Sequence, residues 1–204
     1  MKTFLGIVSF LIFTFVSNSN AQFKTGDFEF SFSGSFSSMT VKNSTSSPYY
    51  STSTHSESRN TMDISFSPGY YIFDGVSIEA ELGLVAVEKM KPSQYVLLNL
   101  GYTYLLPESK VALFAHGGYG FANAVEVPYL NNALAFTSNK FNVKVLNLGV
   151  GVKYLINPNV IIHTEVNYRN HKWTDEYSGY YSYSTDYSIS NVGLMLGFSI
   201  LLPR

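Results

Sequence analysis

Cysteine is missing altogether from the 204 residues. Its absence excludes a disulfide framework, a thiol nucleophile, a thiolate metal centre and a lipid-modified cysteine anchor. Charge is scarce as well. Asp, Glu, Lys and Arg make up 13% of the chain, about half the usual share. With 13 bases against 14 acids the net charge is −1, so no nucleic-acid partner is expected. Beyond the first 21 residues no stretch reaches the length of an apolar transmembrane helix. Neither a helical period, a second domain nor a repeat beyond a hairpin cadence is legible.

What is abundant is aromatic: 16 Tyr and 16 Phe. Mean hydropathy is only +0.06, too low for a bundle of membrane helices. Few charges and many aromatics fit a membrane barrel with interfacial aromatic girdles. The N-terminus reads as a secretory signal: Lys2, an apolar Phe4–Val16, then small residues ending at Ala21. Cleavage after Ala21 divides the chain into a signal over 1–21 and a mature domain over 22–204.

From Gly26 onward apolar residues alternate with polar or tiny ones, the period of a strand with two unlike faces. Phe28, Phe30 and Phe32 stand between Glu29, Ser31 and Ser33. Val192, Leu194, Leu196, Phe198, Ile200 and Leu202 stand between Gly193, Met195, Gly197 and Ser199. Eight such runs are expected, at about 26–41, 61–72, 76–88, 94–106, 110–127, 142–156, 160–173 and 188–202. Asp74-Gly75, Pro107-Glu108-Ser109 and Asn157-Pro158-Asn159 are tight turns. The intervening connections, 43–58, 89–93, 128–141 and 174–187, read as loops. Short and longer connections therefore alternate, as between the periplasmic turns and external loops of an outer-membrane barrel. Both termini would then be periplasmic. The sixth run changes phase between Val145 and Leu146, which suggests a bulge or the membrane boundary. The fold class is an all-β, eight-stranded antiparallel up-and-down transmembrane barrel. Ten strands remain open, because 43–58 and 128–141 have room for short pairs.

The glycines decide which face lines the barrel. Gly101, Gly118, Gly120, Gly149, Gly151, Gly193 and Gly197 fall on the polar stripe, and the bulky residues on the other. An eight-stranded barrel is just wide enough for side chains. The polar stripe therefore belongs inside and the Leu/Val/Phe/Tyr stripe in lipid. On that phase the lumen holds Glu29, Asp63, Glu79, Glu81 and Glu165 with Lys153, Arg169, His116 and His163. Enclosed charges need partners. Arg169 and Lys153 are expected to pair with carboxylates of the third and seventh strands. The surplus acids are left to protonation, water or a histidinium.

Several segments carry a family likeness: Phe114-Ala-His-Gly-Gly-Tyr-Gly-Phe121, Leu148-Gly-Val-Gly-Val-Lys-Tyr154 before a turn, and Val192-Gly-Leu-Met-Leu-Gly-Phe-Ser-Ile200, with Ser19-Asn20-Ala21-Gln22 at the signal end. In these the chain resembles the small outer-membrane barrels of the OmpX and OmpA-barrel type. More narrowly, it is similar to the "outer membrane protein β-barrel domain" or porin-family proteins of the Bacteroidetes. The resemblance implies eight antiparallel strands and residence in a Gram-negative outer membrane after Sec export. It implies no single activity. Such barrels often finish on an aromatic residue, whereas this sequence closes Leu202-Pro203-Arg204. Recognition by the barrel-assembly machinery would rest on Phe198 and the apolar stripe before it.

His163 and Glu165 share a face near Arg169, and a His–Glu pair with a serine could serve nucleophilic catalysis. No serine is clearly placed to complete the set, and the pair faces the lumen. The reading is therefore an interior hydrogen-bond network in a non-enzyme, with no catalytic residues, metal or cofactor. A lipid A deacylase-like enzyme is the alternative, and a soluble lipocalin-like binding protein a further one. His55, His116, His163 and His171 show no metal spacing, though His163 and His171 could share a stripe. Asp175-Glu176 reads as a solvated loop pair. Tyr49, Tyr50, Tyr177, Tyr180, Tyr181 and Tyr183 crowd two external connections. Tyrosine offers amphipathic contact area at low entropic cost, so surface contact with a glycan or protein is expected there. The remaining expected partner is outer-membrane lipid or lipopolysaccharide. The chain is expected to be monomeric, acting in envelope integrity, adhesion or minor pore activity.

Overall fold

A computed structural model describes residues 23–47, 50–88, 92–123, 141–177 and 183–204. The signal segment 1–21 lies outside these. The described residues form eight strands: β1 (Phe28–Ser47), β2 (Tyr50–Phe73), β3 (Val76–Val87), β4 (Ser93–Leu105), β5 (Val111–Asn123), β6 (Phe141–Asn157), β7 (Val160–Tyr177) and β8 (Tyr183–Leu202). Each pairs antiparallel with its sequence neighbours, and β1 pairs with β8, so the sheet closes into a barrel. Closure leaves no open edge along the wall.

Three tight connections lie at one end of the barrel. Gly75 takes the left-handed conformation at φ 76° in the β2–β3 turn, and Glu108 does so at φ 56° between β4 and β5. The Asn157 side chain accepts hydrogen bonds from the Asn159 and Val160 amides in the third. At the other end the segments read as long loops are mostly strand. β1 runs to Ser47 and β2 starts at Tyr50, so 43–58 is a hairpin rather than a loop. Likewise β7 runs to Tyr177 and β8 starts at Tyr183, within the expected loop 174–187. These Ser/Thr/Tyr stretches are polar on both faces, which leaves no apolar period to detect, while Thr and Tyr suit a pleated backbone. Most of 128–141 lies outside the described residues. The wall is uneven: β1, β2 and β8 have 20, 24 and 20 residues, against 12, 13 and 13 in β3, β4 and β5.

The alternation puts the large apolar side chains outside. Phe36 is 78% exposed, and Leu98 and Leu196 are each 63% exposed. Water would not tolerate a continuous apolar belt of this extent, whereas hydrocarbon solvates it. Aromatics staple the β8–β1–β2 seam from outside: the Phe32 ring lies 4.8 Å from Phe66 and 5.1 Å from Phe198, its register partners on either side.

The expected phase change in β6 is absent. Its pairing with β7 is unbroken from Lys144↔Lys172 to Leu155↔Ile161, and Val143 and Val145 point inward. They belong to an apolar cluster with Met39, Val85, Leu97 and Ile189 that fills the lumen toward the long hairpins, against Trp173. A second cluster of Phe23, Tyr71, Ala112, Leu155, Ile161 and Leu201 fills the end with the short turns. The interior is therefore polar only in its middle. The stripe stays inward at both ends while its chemistry turns apolar, which mimics a change of phase.

Room inside comes from cross-strand pairing of bulk with glycine. Tyr95 faces Gly83, Asn99 faces Gly118, His116 faces Gly149, Phe114 faces Gly151 and His163 faces Gly197. In each pair a methyl group on the glycine would strike the side chain opposite or the backbone beside it. Replacing Gly83 or Gly118 with Leu is therefore expected to destabilise the barrel by about 1–3 kcal/mol or more. Urea unfolding in micelles, with gel migration before and after heating, reads the change. The lipid-facing Leu98→Ile should leave the transition almost in place.

Candidate functional site

The polar middle of the lumen is built in three levels. At the lowest, Lys153 of β6 donates to both carboxylate oxygens of Glu29 of β1, at 2.8 and 2.7 Å. Tyr71 donates to the same carboxylate at 2.6 Å. The ammonium lies over the rings of Phe23 and Phe114, at 5.4 and 5.1 Å. Beside it, His163 is held between two serines, Nε2 at 2.9 Å from Ser33 and Nδ1 at 3.2 Å from Ser199. Ser31 continues the chain from Ser199 to Glu29.

At the second level His116 of β5 lies between two carboxylates. Nδ1 is 3.8 Å from Glu79 and Nε2 is 3.5 Å from Glu165. Nε2 makes no hydrogen bond, so these are charge contacts at long range. Glu79 also accepts from Ser77 at 2.7 Å.

The third level is centred on Arg169 of β7. Its guanidinium bridges Asp63 of β2 and Glu81 of β3, the latter at 2.7 Å, and stacks over the Tyr95 ring at 4.3 Å. The Tyr95 hydroxyl lies 2.9 Å from a carboxylate oxygen of each acid. Asn99 donates to Glu81 at 2.9 Å, Asn147 donates to Asn99 at 3.2 Å, and Asn167 donates to Asn147 and Glu165, both at 3.0 Å. A ladder of amides thus connects the upper levels. Each carboxylate of these three levels has Lys153, Arg169 or the His116 ring in reach, the condition for keeping ions out of water.

The nine expected lumen residues all point inward, but their partners differ from the expectation. Arg169 takes Glu81 of β3 and also Asp63 of β2. Lys153 takes Glu29 of β1, not a carboxylate of β3 or β7. Glu165, the β7 carboxylate, lies against His116 instead. Alternation fixes the face of a residue but not which distant strand it meets across the lumen. Tyr71, Tyr95, Asn99, Asn147 and Asn167 complete the network and were not anticipated. Their stripe positions, in step with Asp63, Gly101, Gly149 and Arg169, were the available signal.

His163 and Glu165 are both buried, yet no hydrogen bond connects them. His171 is inward and buried on the stripe of His163. The side chain of His55 lies outside the described residues, as do those of Asp175 and Glu176. Among the described residues no group of three His, Asp or Glu side chains is arranged to hold a metal. Of the six rim tyrosines, Tyr49, Tyr180 and Tyr181 lie outside the described residues. Tyr50, Tyr177 and Tyr183 lie in strands, with Tyr177 paired to Tyr183. Among the described residues a cavity of about 30 Å³ lies between Ser33, Ser65, Ser67, Glu79 and His116. This is room for about two waters.

In solved structures the fold has counterparts. The outer membrane protein OprG from Pseudomonas aeruginosa is 16% identical, covering 91% of this chain and 100% of that one, with a TM-score of 0.52. The fold is that of an outer-membrane β-barrel. Neisserial surface protein A is 15% identical over 86% of this chain and 98% of its own, at 0.47. The outer membrane protease OmpT from Escherichia coli is 9% identical over 92% and 100%, at 0.46. No protein-family model matches the chain, and no curated protein matches it in sequence.

Removing one partner of a buried ion cluster strands the others. Arg169→Met is expected to destabilise this barrel by about 3–5 kcal/mol, because Asp63 and Glu81 are left unpaired. Adding Asp63→Asn and Glu81→Gln to Arg169→Met should recover much of that loss. Equilibrium unfolding in micelles compares the two variants.

Proposed function

We propose that this chain is an integral outer-membrane barrel that acts as a closed element of the envelope. Its work is structural or surface contact, and its lumen neither conducts nor catalyses. The observation that carries this reading is the filled interior: a paired charge network held between two apolar clusters. The lower cluster is fastened by the segment before β1. The Phe23 carbonyl accepts from the Gly75 amide at 2.8 Å, the Gly26 amide donates to Tyr71 at 2.9 Å, and Asp27 accepts from the Arg204 amide at 3.1 Å. An ion crossing the lumen would have to displace both clusters and break the Arg169 pairs.

The apolar belt supports membrane residence over a soluble lipocalin-like protein, whose bulk would face inward. The signal-like 1–21 supports Sec export. The difference between the ends supports short turns and termini in the periplasm, with the long hairpins and their tyrosines outside. There a glycan or protein would meet the rim, and lipopolysaccharide the upper belt. We take the chain to be a monomer delivered by the barrel-assembly machinery, and its kinship to lie with the OmpX-like porin-family proteins of the Bacteroidetes. Against a deacylase-like enzyme stands the enclosure of His163, whose ring nitrogens are engaged by Ser33 and Ser199 on the side away from lipid.

Purified protein in planar bilayers is expected to give no conductance steps above the bare membrane. Discrete steps would overturn the closed-lumen reading. In cells carrying His163→Ala with Glu165→Gln, the mass profile of lipid A is expected to match that of the unaltered protein. A shift by one acyl chain would favour the enzyme.

A further inference from the structure

Among the described residues the outer wall of the barrel carries a wide depression. Along β5 the outward positions are Leu113, Ala115, Gly117, Tyr119 and Phe121, so two very small residues interrupt a row of large ones. Their neighbours in register are bulky. Ala115 lies between Tyr102 of β4 and Val150 of β6, and Gly117 lies between Leu100 and Leu148. The result is an open concavity of about 760 Å³ with an almost wholly apolar lining, extending to Val76 on one side and Tyr168 on the other. That volume lies within the range of small-molecule sites, roughly 300–1,000 Å³.

Its depth in the membrane follows from the strand geometry. Gly117 is the seventh residue of β5 from the end with the short turns. At about 3.3 Å per residue and a tilt near 45°, it stands roughly 14 Å above that end. Tyr102 and Val76, a register pair, lie close to the end itself. The groove thus runs from the interface to about the middle of a hydrocarbon layer ~30 Å thick, spanning one leaflet. A chain lying in it touches Gly117 below and Leu100 and Leu148 on its flanks. It makes contacts on three sides where ordinary boundary lipid makes them on one.

We propose that this groove binds one acyl chain of a phospholipid from the leaflet on the side of the short turns. The ester end lies beside Val76 and Tyr102, and the chain passes over Ala115 and Gly117 with its methyl end toward Tyr168. The proposal rests on the membrane reading above. Depth decides the occupant: at this level the surroundings supply hydrocarbon, and apart from the Tyr102 and Tyr168 hydroxyls and His116 the lining is apolar.

The test is native mass spectrometry of the full protein released from vesicles of phosphatidylethanolamine and phosphatidylglycerol. The unaltered barrel is expected to retain one phospholipid. Ala115→Leu fills the groove from a position that already carries a Cβ, and Ala115→Leu with Gly117→Leu fills it further. Losing van der Waals contact along a few methylenes should lower the retained fraction clearly below that of the unaltered barrel. Ala80→Leu, on the same belt but outside the groove, should not change it. Gel migration before and after heating confirms that each variant is folded. Equal retention in the filled variants overturns the proposal, as does adduction by detergent alone. A dimer that the filling substitutions abolish would assign the groove to a second copy and overturns it too. If the protein fails to enter vesicles, the membrane reading itself falls. If it enters and retains no lipid, only the groove assignment falls.

Discussion

Eight inward-facing rows share one narrow space, and that crowding governs the rest of the structure. A strand in so small a barrel cannot point a large side chain inward without taking volume from the strand beside it. The chain meets this by setting Tyr95, Asn99, Phe114, His116 and His163 each against a glycine in direct register. Those five side chains then fit inside, beside the ion pairs of the three levels. The register of the sheet and the chemistry of the lumen are one solution to one problem of space.

Electrostatics works inside that geometry. Five carboxylates share the interior with Lys153, Arg169 and His116, and the cost of burying them falls only if partners are close. Arg169 answers two acids at once because its planar fork reaches both. Lys153 concentrates on Glu29 and rests on aromatic faces. The apolar clusters above and below exclude water from these pairs and so strengthen them. The same arrangement that makes the ions tolerable fills the middle of the lumen.

Period and turn chemistry make much of this legible in the sequence itself. Which face of each strand turns inward, the eight-strand count and the three tight turns all follow from alternation, Asp74-Gly75 and the two proline-containing turns. Three features were hidden, each for a physical reason. The hairpin over 43–58 escaped because Ser and Thr on both faces produce no apolar rhythm. Val143 and Val145 were misleading because an inward row can turn apolar where it meets the plug. The Lys153–Glu29 pair could not be read because contacts across the lumen depend on shear and tilt, which a period of two does not encode.

The opposition of bulk to glycine has a consequence for descent. Gly83 can grow only if Tyr95 shrinks, whereas at Gly197 the Phe32 carbonyl blocks a side chain whatever stands at position 163. Where the side chain opposite is the main obstacle, as at Gly83, the two positions have to change together while the scaffold that carries them stays put. Successive exchanges of this kind can rewrite the inner surface position by position, so that two barrels come to share an outline and almost no letters.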